Sequence, residues 1–191
     1  MSRIVDRGAV VAAFVGIGVA VTIGVSLLLV IPIEPLYWLL TVPAGLLIGY
    51  YANQRSAAVS AAWHRVLANA LFAGAVTGLA MAVLLLGVKA LFFSADNGYR
   101  DEALGGPIAC QTGADCVYRR YLDANRGGEL AAAGVTDAAS FASFYWQQQL
   151  TTAGLLLGVT TSAAVVGGAL YLAFRPKRSA SAAERGAQPA T

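Results

Sequence analysis

Charge is scarce in this 191-residue chain: 12% of its residues are Asp, Glu, Lys or Arg, while 58% are hydrophobic and the mean hydropathy is +0.64. That balance excludes a cytosolic globular enzyme, a secreted disulfide scaffold and a disordered acidic or basic regulator, since each needs more polar surface or a different cysteine load. His64 is the one histidine, so no histidine cluster can hold a metal. Cysteine is limited to Cys110 and Cys116. A glycine-rich phosphate loop following a strand and a serine nucleophile elbow are both missing. Ionisable groups are also missing from the middle of every long apolar stretch, where pumps and proton relays place them despite the insertion cost. No catalytic residue, cofactor or metal is therefore expected.

What is abundant is apolar sequence in stretches of membrane length. A hydrocarbon core of roughly 30 Å needs about 20 helical residues, and four segments answer to it: 8–31, 35–51, 66–93 and 150–174. The first carries no charge between Arg7 and Glu34 and is too long for the apolar core of a signal peptide. The run from Leu27 to Pro32 offers no small-residue cleavage site either, so the segment reads as an uncleaved span. Tyr37 and Trp38 flank the second span on one side and Tyr50 and Tyr51 on the other, as headgroup belts require. Pro43 predicts a kink there, with a hydroxyl such as Thr41 serving the freed backbone group. Trp63, His64 and Arg65 precede the third span as an interfacial group. The expected fold is all-α: an integral membrane four-helix bundle with a long, partly helical extracytoplasmic loop between helices 3 and 4.

Sorting the charges by side sets the expected orientation. Arg3, Arg7, Arg55, Arg65, Arg175, Lys177, Arg178 and Arg185 fall on one side against Asp6 and Glu184, while the other side holds Glu34 and the acidic 94–149 segment. Cytoplasmic loops carry the excess of Lys and Arg, which puts both termini inside the plasma membrane. The net charge of +3 and the pI near 9.0 are thus orientation charges; no basic stripe with interleaved aromatics suggests nucleic acid. Residues 1–7 form a cytoplasmic N-terminus, and 175–191 read as a disordered cytoplasmic tail. Abundant Ala, Gly and Val, with Arg preferred over Lys, point to a GC-rich prokaryotic genome.

The 94–149 segment is broken by Asn97-Gly98, Gly105-Gly106-Pro107, Gly113 and Gly127-Gly128. It is too small to hold a core alone, so Leu104, Ile108, Val117, Tyr121 and Leu122 should rest on the helix ends as a cap. Cys110 and Cys116, on the oxidising side, are expected to form a structural disulfide, because the Cys-x-x-Cys spacing of a redox dithiol is absent. Asp115, Arg119 and Asp123 follow at i, i+4 spacing on a short helix that Gly127 would stop. Thr136 then caps a last helix that runs unbroken to Phe174, about 55 Å at 1.5 Å per residue, so that it projects beyond the membrane. Asp96, Asp101 and Glu102 lack the ligand alternation of a calcium loop.

Lys89 is the charged side chain inside a span, and Glu34 lies at the same level, which predicts an interhelical ion pair. Gly45 and Gly49, Gly74 and Gly78, and Gly154 and Gly158 have GxxxG spacing, and Gly16, Ala20 and Gly24 form a related stripe; each permits close contact within the bundle. The layout, with both ends inside and a large cysteine-bearing loop between spans three and four, resembles that of tetraspanins. The paired-cysteine-glycine motif of that family is absent, so the resemblance implies topology and no function. The sequence supports a non-catalytic accessory or scaffold subunit packing in the lipid bilayer with partner membrane proteins or as a homo-oligomer. A small oligomeric transporter or channel is the alternative, and an outward-facing ligand-binding or thiol-redox protein a further one.

Overall fold

The computed structural model describes residues 5–30, 34–56, 62–95, 110 and 112–174, with the backbone alone at 28–30 and 34. Among these residues every regular element is helical: α1 (Arg7–Gly24), α2 (Glu34–Gln54), α3 (Trp63–Ala95), α4 (Ala114–Asp123), α5 (Gly127–Ala132) and α6 (Ala138–Phe174). Val25–Val30 extends α1 as a π-helical turn. Four of these helices, α1, α2, α3 and α6, are long and apolar enough to cross a membrane.

The bundle buries many small residues beside a few large ones such as Tyr37, Met81 and Leu156. Phe14, Leu47 and Phe174 point outward at 71%, 69% and 73% exposure, while Ala9, Ala12, Ala73 and Ala164 are fully buried. Small residues inside let helix backbones approach closely, and large apolar residues outside suit a hydrocarbon solvent. α6 packs most extensively against α3 and α2, and α1 packs against α3 and α2 from another side. The last helix in sequence therefore closes the bundle, and its contacts exceed those between the sequence-adjacent helices.

Two expectations for α2 are corrected. Tyr37 is buried and does not belong to a headgroup belt: its hydroxyl donates to the Met81 carbonyl at 2.9 Å, a bond that satisfies the phenol inside the bundle. The Thr41 hydroxyl donates to the Tyr37 carbonyl at 3.0 Å, so it does not serve Leu39, whose carbonyl loses its i+4 donor to Pro43. The Tyr37–Met81 bond also sets the register, bringing the start of α2 toward the stretch of α3 that contains Lys89. The Glu34 side chain lies outside the described residues.

At the far end of α3 and α6 the short helices are cut by successive left-handed stops. Asn125, at φ 56°, ends α4, with Arg126 N–H donating to the Tyr121 carbonyl and Asn125 N–H to that of Leu122. Gly134, at φ 72°, ends α5 in the same way, with Val135 N–H reaching Leu130 and Gly134 N–H reaching Ala131. Gly127 is thus the first residue of α5, not the stop of α4. Asp137, not Thr136, caps α6: its Oδ1 accepts the Ser140 N–H at 2.7 Å, and the Ser140 hydroxyl accepts the Thr136 and Asp137 N–H groups at 3.2 Å. That reciprocal pattern satisfies donors which the first helical turn leaves open.

Candidate functional site

One end of the bundle gathers the first turns of α1 and α3 and the last turns of α2 and α6. Glycine makes the approach possible. A Cβ on Gly8 would lie 2.6 Å from the Ser56 nitrogen and 2.7 Å from the Arg55 carbonyl carbon, and one on Gly168 would lie 2.7 Å from Ala70 Cβ and 3.5 Å from Asn53 Nδ2. Here a polar network ties three helices. The Asp6 N–H donates to Asn69 Oδ1 at 3.0 Å; Asn69 Nδ2 donates to Asp6 Oδ2 at 3.3 Å and to Asn53 Oδ1 at 3.4 Å. The Ser56 hydroxyl donates to Asp6 Oδ2 at 2.6 Å, and Asn53 Nδ2 donates to the Gly49 carbonyl at 3.0 Å.

Asn53, Ser56 and Asn69 are all buried, so each of these bonds avoids the cost of a dry, unpaired polar group. Asp6 brings a carboxylate to the network, and its Oδ2 is committed to a hydroxyl and an amide. The arrangement fastens the helix ends to one another. Sequence reasoning missed it, although Asn69, an amide inside an otherwise apolar span, was the available signal.

Along the bundle axis the buried hydroxyls turn to backbone. Thr77 donates to the Ala73 carbonyl at 2.8 Å and Thr160 to that of Leu156 at 2.8 Å, with the Met81 sulfur 3.8 Å from the Thr160 hydroxyl. Around them the structure places Gly16 against Thr77, Gly24 at 3.3 Å from Leu84 Cδ1, Gly45 at 2.6 Å from the Thr160 carbonyl oxygen, Gly49 against the Ala164 carbonyl, Gly74 against Ala164 Cβ and Gly78 at 3.1 Å from Leu157, all measured from an added Cβ. Gly154 and Gly158 meet nothing within 4 Å and face outward, because α6 turns Ala153, Leu156, Thr160, Ala163 and Ala164 inward instead. Gly167, which would meet the Leu46 carbonyl, and Gly168 take the packing role on α6.

The opposite end is capped by α4, α5 and the first turns of α6. Leu130, Val135, Phe141 and Tyr145 form its core, joined by Phe93, Val117 and Tyr121. Phe141 lies edge-on to Tyr121 at 4.9 Å, and Phe93 stacks on Tyr145 at 4.9 Å, so the cap is fastened to both α3 and α6. Leu122, expected in this core, is 43% exposed, while Leu104, Ile108, Asp96, Asp101 and Glu102 lie outside the described residues. Cys110 and Cys116 form a disulfide with Cα atoms 5.4 Å apart, and Cys116 is fully buried, which ties the chain entering the cap to the first turn of α4.

On the cap surface Asp115 and Arg119 pair at 3.0 Å, and Arg126 pairs with Glu129 at 2.8 Å while lying 4.2 Å from the Tyr121 ring centre. Partial burial alone would lower the Arg126 pKa, but the Glu129 carboxylate and Tyr121 outweigh it and hold the guanidinium above its ordinary value. The cap thus keeps its aromatic rings in or against its core and presents exposed, paired charge. No protein-family model, curated protein or solved structure matches this chain.

Proposed function

We propose that this chain is a multi-pass plasma-membrane protein with both termini in the cytoplasm, acting as a non-catalytic accessory or scaffold subunit that packs with partner membrane proteins. The observation that carries the reading is how the buried polar groups are used: Tyr37, Thr41, Asn53, Thr77 and Thr160 all donate to backbone carbonyls. Donors committed in this way, with glycine bringing helix backbones into contact along the seams, support a bundle packed by its own helices. What it offers to other molecules is its outside: a surface of large apolar side chains along the helices and a cap that carries exposed, paired charge.

The orientation is supported by the arginine-rich end at Arg7, Arg55 and Arg65, and by the Cys110–Cys116 disulfide at the other, which fits an oxidising compartment. Purification in mild detergent with quantification of co-purifying proteins tests the role, and a stoichiometric membrane partner is the expected result. Solute flux in liposomes containing this protein alone would overturn it in favour of a transporter or channel. A reporter fused near Cys110 should be active only when it reports from outside the cytosol; cytosolic activity would reverse the orientation.

A further inference from the structure

We propose that the corner of the bundle where α1 begins and α2 ends binds the phosphodiester of an anionic phospholipid, held by Arg55 and Arg7. The proposal rests on the membrane reading above and is independent of the scaffold role. Arg55 is exposed, and its head rests on the last turn of α2: Nε donates to the Tyr51 hydroxyl at 3.0 Å and the guanidinium carbon lies 5.6 Å from the centre of the Tyr51 ring. That leaves the terminal N–H groups of a planar fork, whose geometry suits two phosphate oxygens at once.

Gly8, whose missing side chain lets α1 touch the backbone of Arg55 and Ser56, brings the start of α1, with exposed Arg7, to the same corner. The Asp6 carboxylate on the same turn keeps its charge but directs Oδ2 to Ser56 and Asn69 on the inner side, whereas Arg7 and Arg55 are exposed. The depth is also right. Trp63, 66% exposed with His64 edge-on at 6.1 Å, and the Tyr50–Tyr171 pair at 5.6 Å put aromatic rings at this end of the bundle, where headgroups meet hydrocarbon. Cationic side chains at that level attract anionic over zwitterionic lipid.

The test uses the full chain in nanodiscs of phosphatidylcholine with about one-third phosphatidylglycerol, released and weighed intact to count retained lipids. Wild type should retain phosphatidylglycerol in excess of its share. R7Q or R55Q should each reduce that excess about fivefold and the double variant about thirtyfold, whereas R119Q, which removes the same charge from the cap, should leave it unchanged. Y51F, which keeps the ring and loses the hydroxyl, should fall between wild type and R55Q. Inorganic phosphate at millimolar concentration should displace no lipid. No lipid preference in the unaltered protein, equal retention by the double variant, an equal loss in R119Q, or displacement by inorganic phosphate would each overturn the proposal. Vesicle flotation of the same samples separates this failure from failure of the membrane reading, which would leave even the wild type in the soluble fraction.

Discussion

Gly49→Ala and Gly158→Ala make the same chemical change in two long apolar helices, and the structure predicts opposite outcomes. In a helix interior alanine is favoured over glycine by up to about 1 kcal/mol, because glycine loses more backbone freedom on folding. At Gly158 the added methyl meets nothing within 4 Å, so the variant should gain that amount or a fraction of it. At Gly49 the methyl would overlap the Ala164 carbonyl oxygen and lie 2.6 Å and 2.7 Å from the Ala164 carbonyl carbon and Cα. Those are backbone atoms, so relief requires α2 and α6 to part along their shared seam. Overpacking of this kind costs about 1–3 kcal/mol, and a backbone obstacle belongs at the upper end. Net of the helix preference, Gly49→Ala should lose about 2 kcal/mol, which puts the two variants about 3 kcal/mol apart. Gly16→Ala should fall between them, since its methyl meets the Thr77 side chain, which can rotate by giving up its bond to Ala73. Unfolding in mixed micelles by titration with a denaturing detergent, followed by tryptophan fluorescence, measures all three. Equal effects at Gly49 and Gly158, or a loss at Gly158 as large as at Gly49, would refute the packing scheme.

Four further outcomes can be checked on the same preparation. Asn69→Leu removes the partner of the Asp6 N–H and of Asn53 Oδ1, and should lower stability by about 2 kcal/mol in thermal denaturation. Reducing the Cys110–Cys116 bond should cost at most about 2 kcal/mol for so short a ring, with faster hydrogen exchange confined to α4 while α2 and α3 stay protected. Asp137, whose pKa is lowered from 3.8 chiefly by the Ser140 N–H, lends its cap fully above 3.8 and loses it as pH falls through the folded value; protection of the Ser140 amide should decline in that acid range and be flat in Asp137→Asn. Exchanging the charges in Glu34→Lys with Lys89→Glu should restore what either single change loses if the two side chains pair across α2 and α3, and absence of recovery would exclude the pair.

The four long helices were legible because an unbroken apolar run of that length leaves the backbone no other way to satisfy itself in lipid. Which face of each helix turns inward was not legible from hydropathy, because lipid outside is as apolar as the bundle inside. GxxxG spacing is the same in Gly45-Gly49, buried, and in Gly154-Gly158, exposed. The distinction lies in side-chain size with a helical period. The buried face of α1 is Gly8, Ala9, Ala12, Ala13, Gly16, Ala20 and Gly24, every one of them small, while Phe14 and Val21 face out. On α6 the small positions Ala153, Ala163, Ala164, Gly167 and Gly168 recur together with Leu156 and Thr160, and Gly154 and Gly158 lie off that line. Local polar chemistry was harder to read for a different reason. Asn125 and Gly127 both tolerate a left-handed backbone, and Thr136 and Asp137 both can cap a helix, so neighbouring residues competed for one role and tertiary packing chose. The Asp6 network shows the same selection over distance: Asn53, Ser56 and Asn69 read singly as loop or span residues, and become one structure only when Gly8 and Gly168 let three helix ends close on them. Glycine in this chain therefore acts less as a dimerisation signature than as the condition for burying amides and hydroxyls where lipid could not satisfy them.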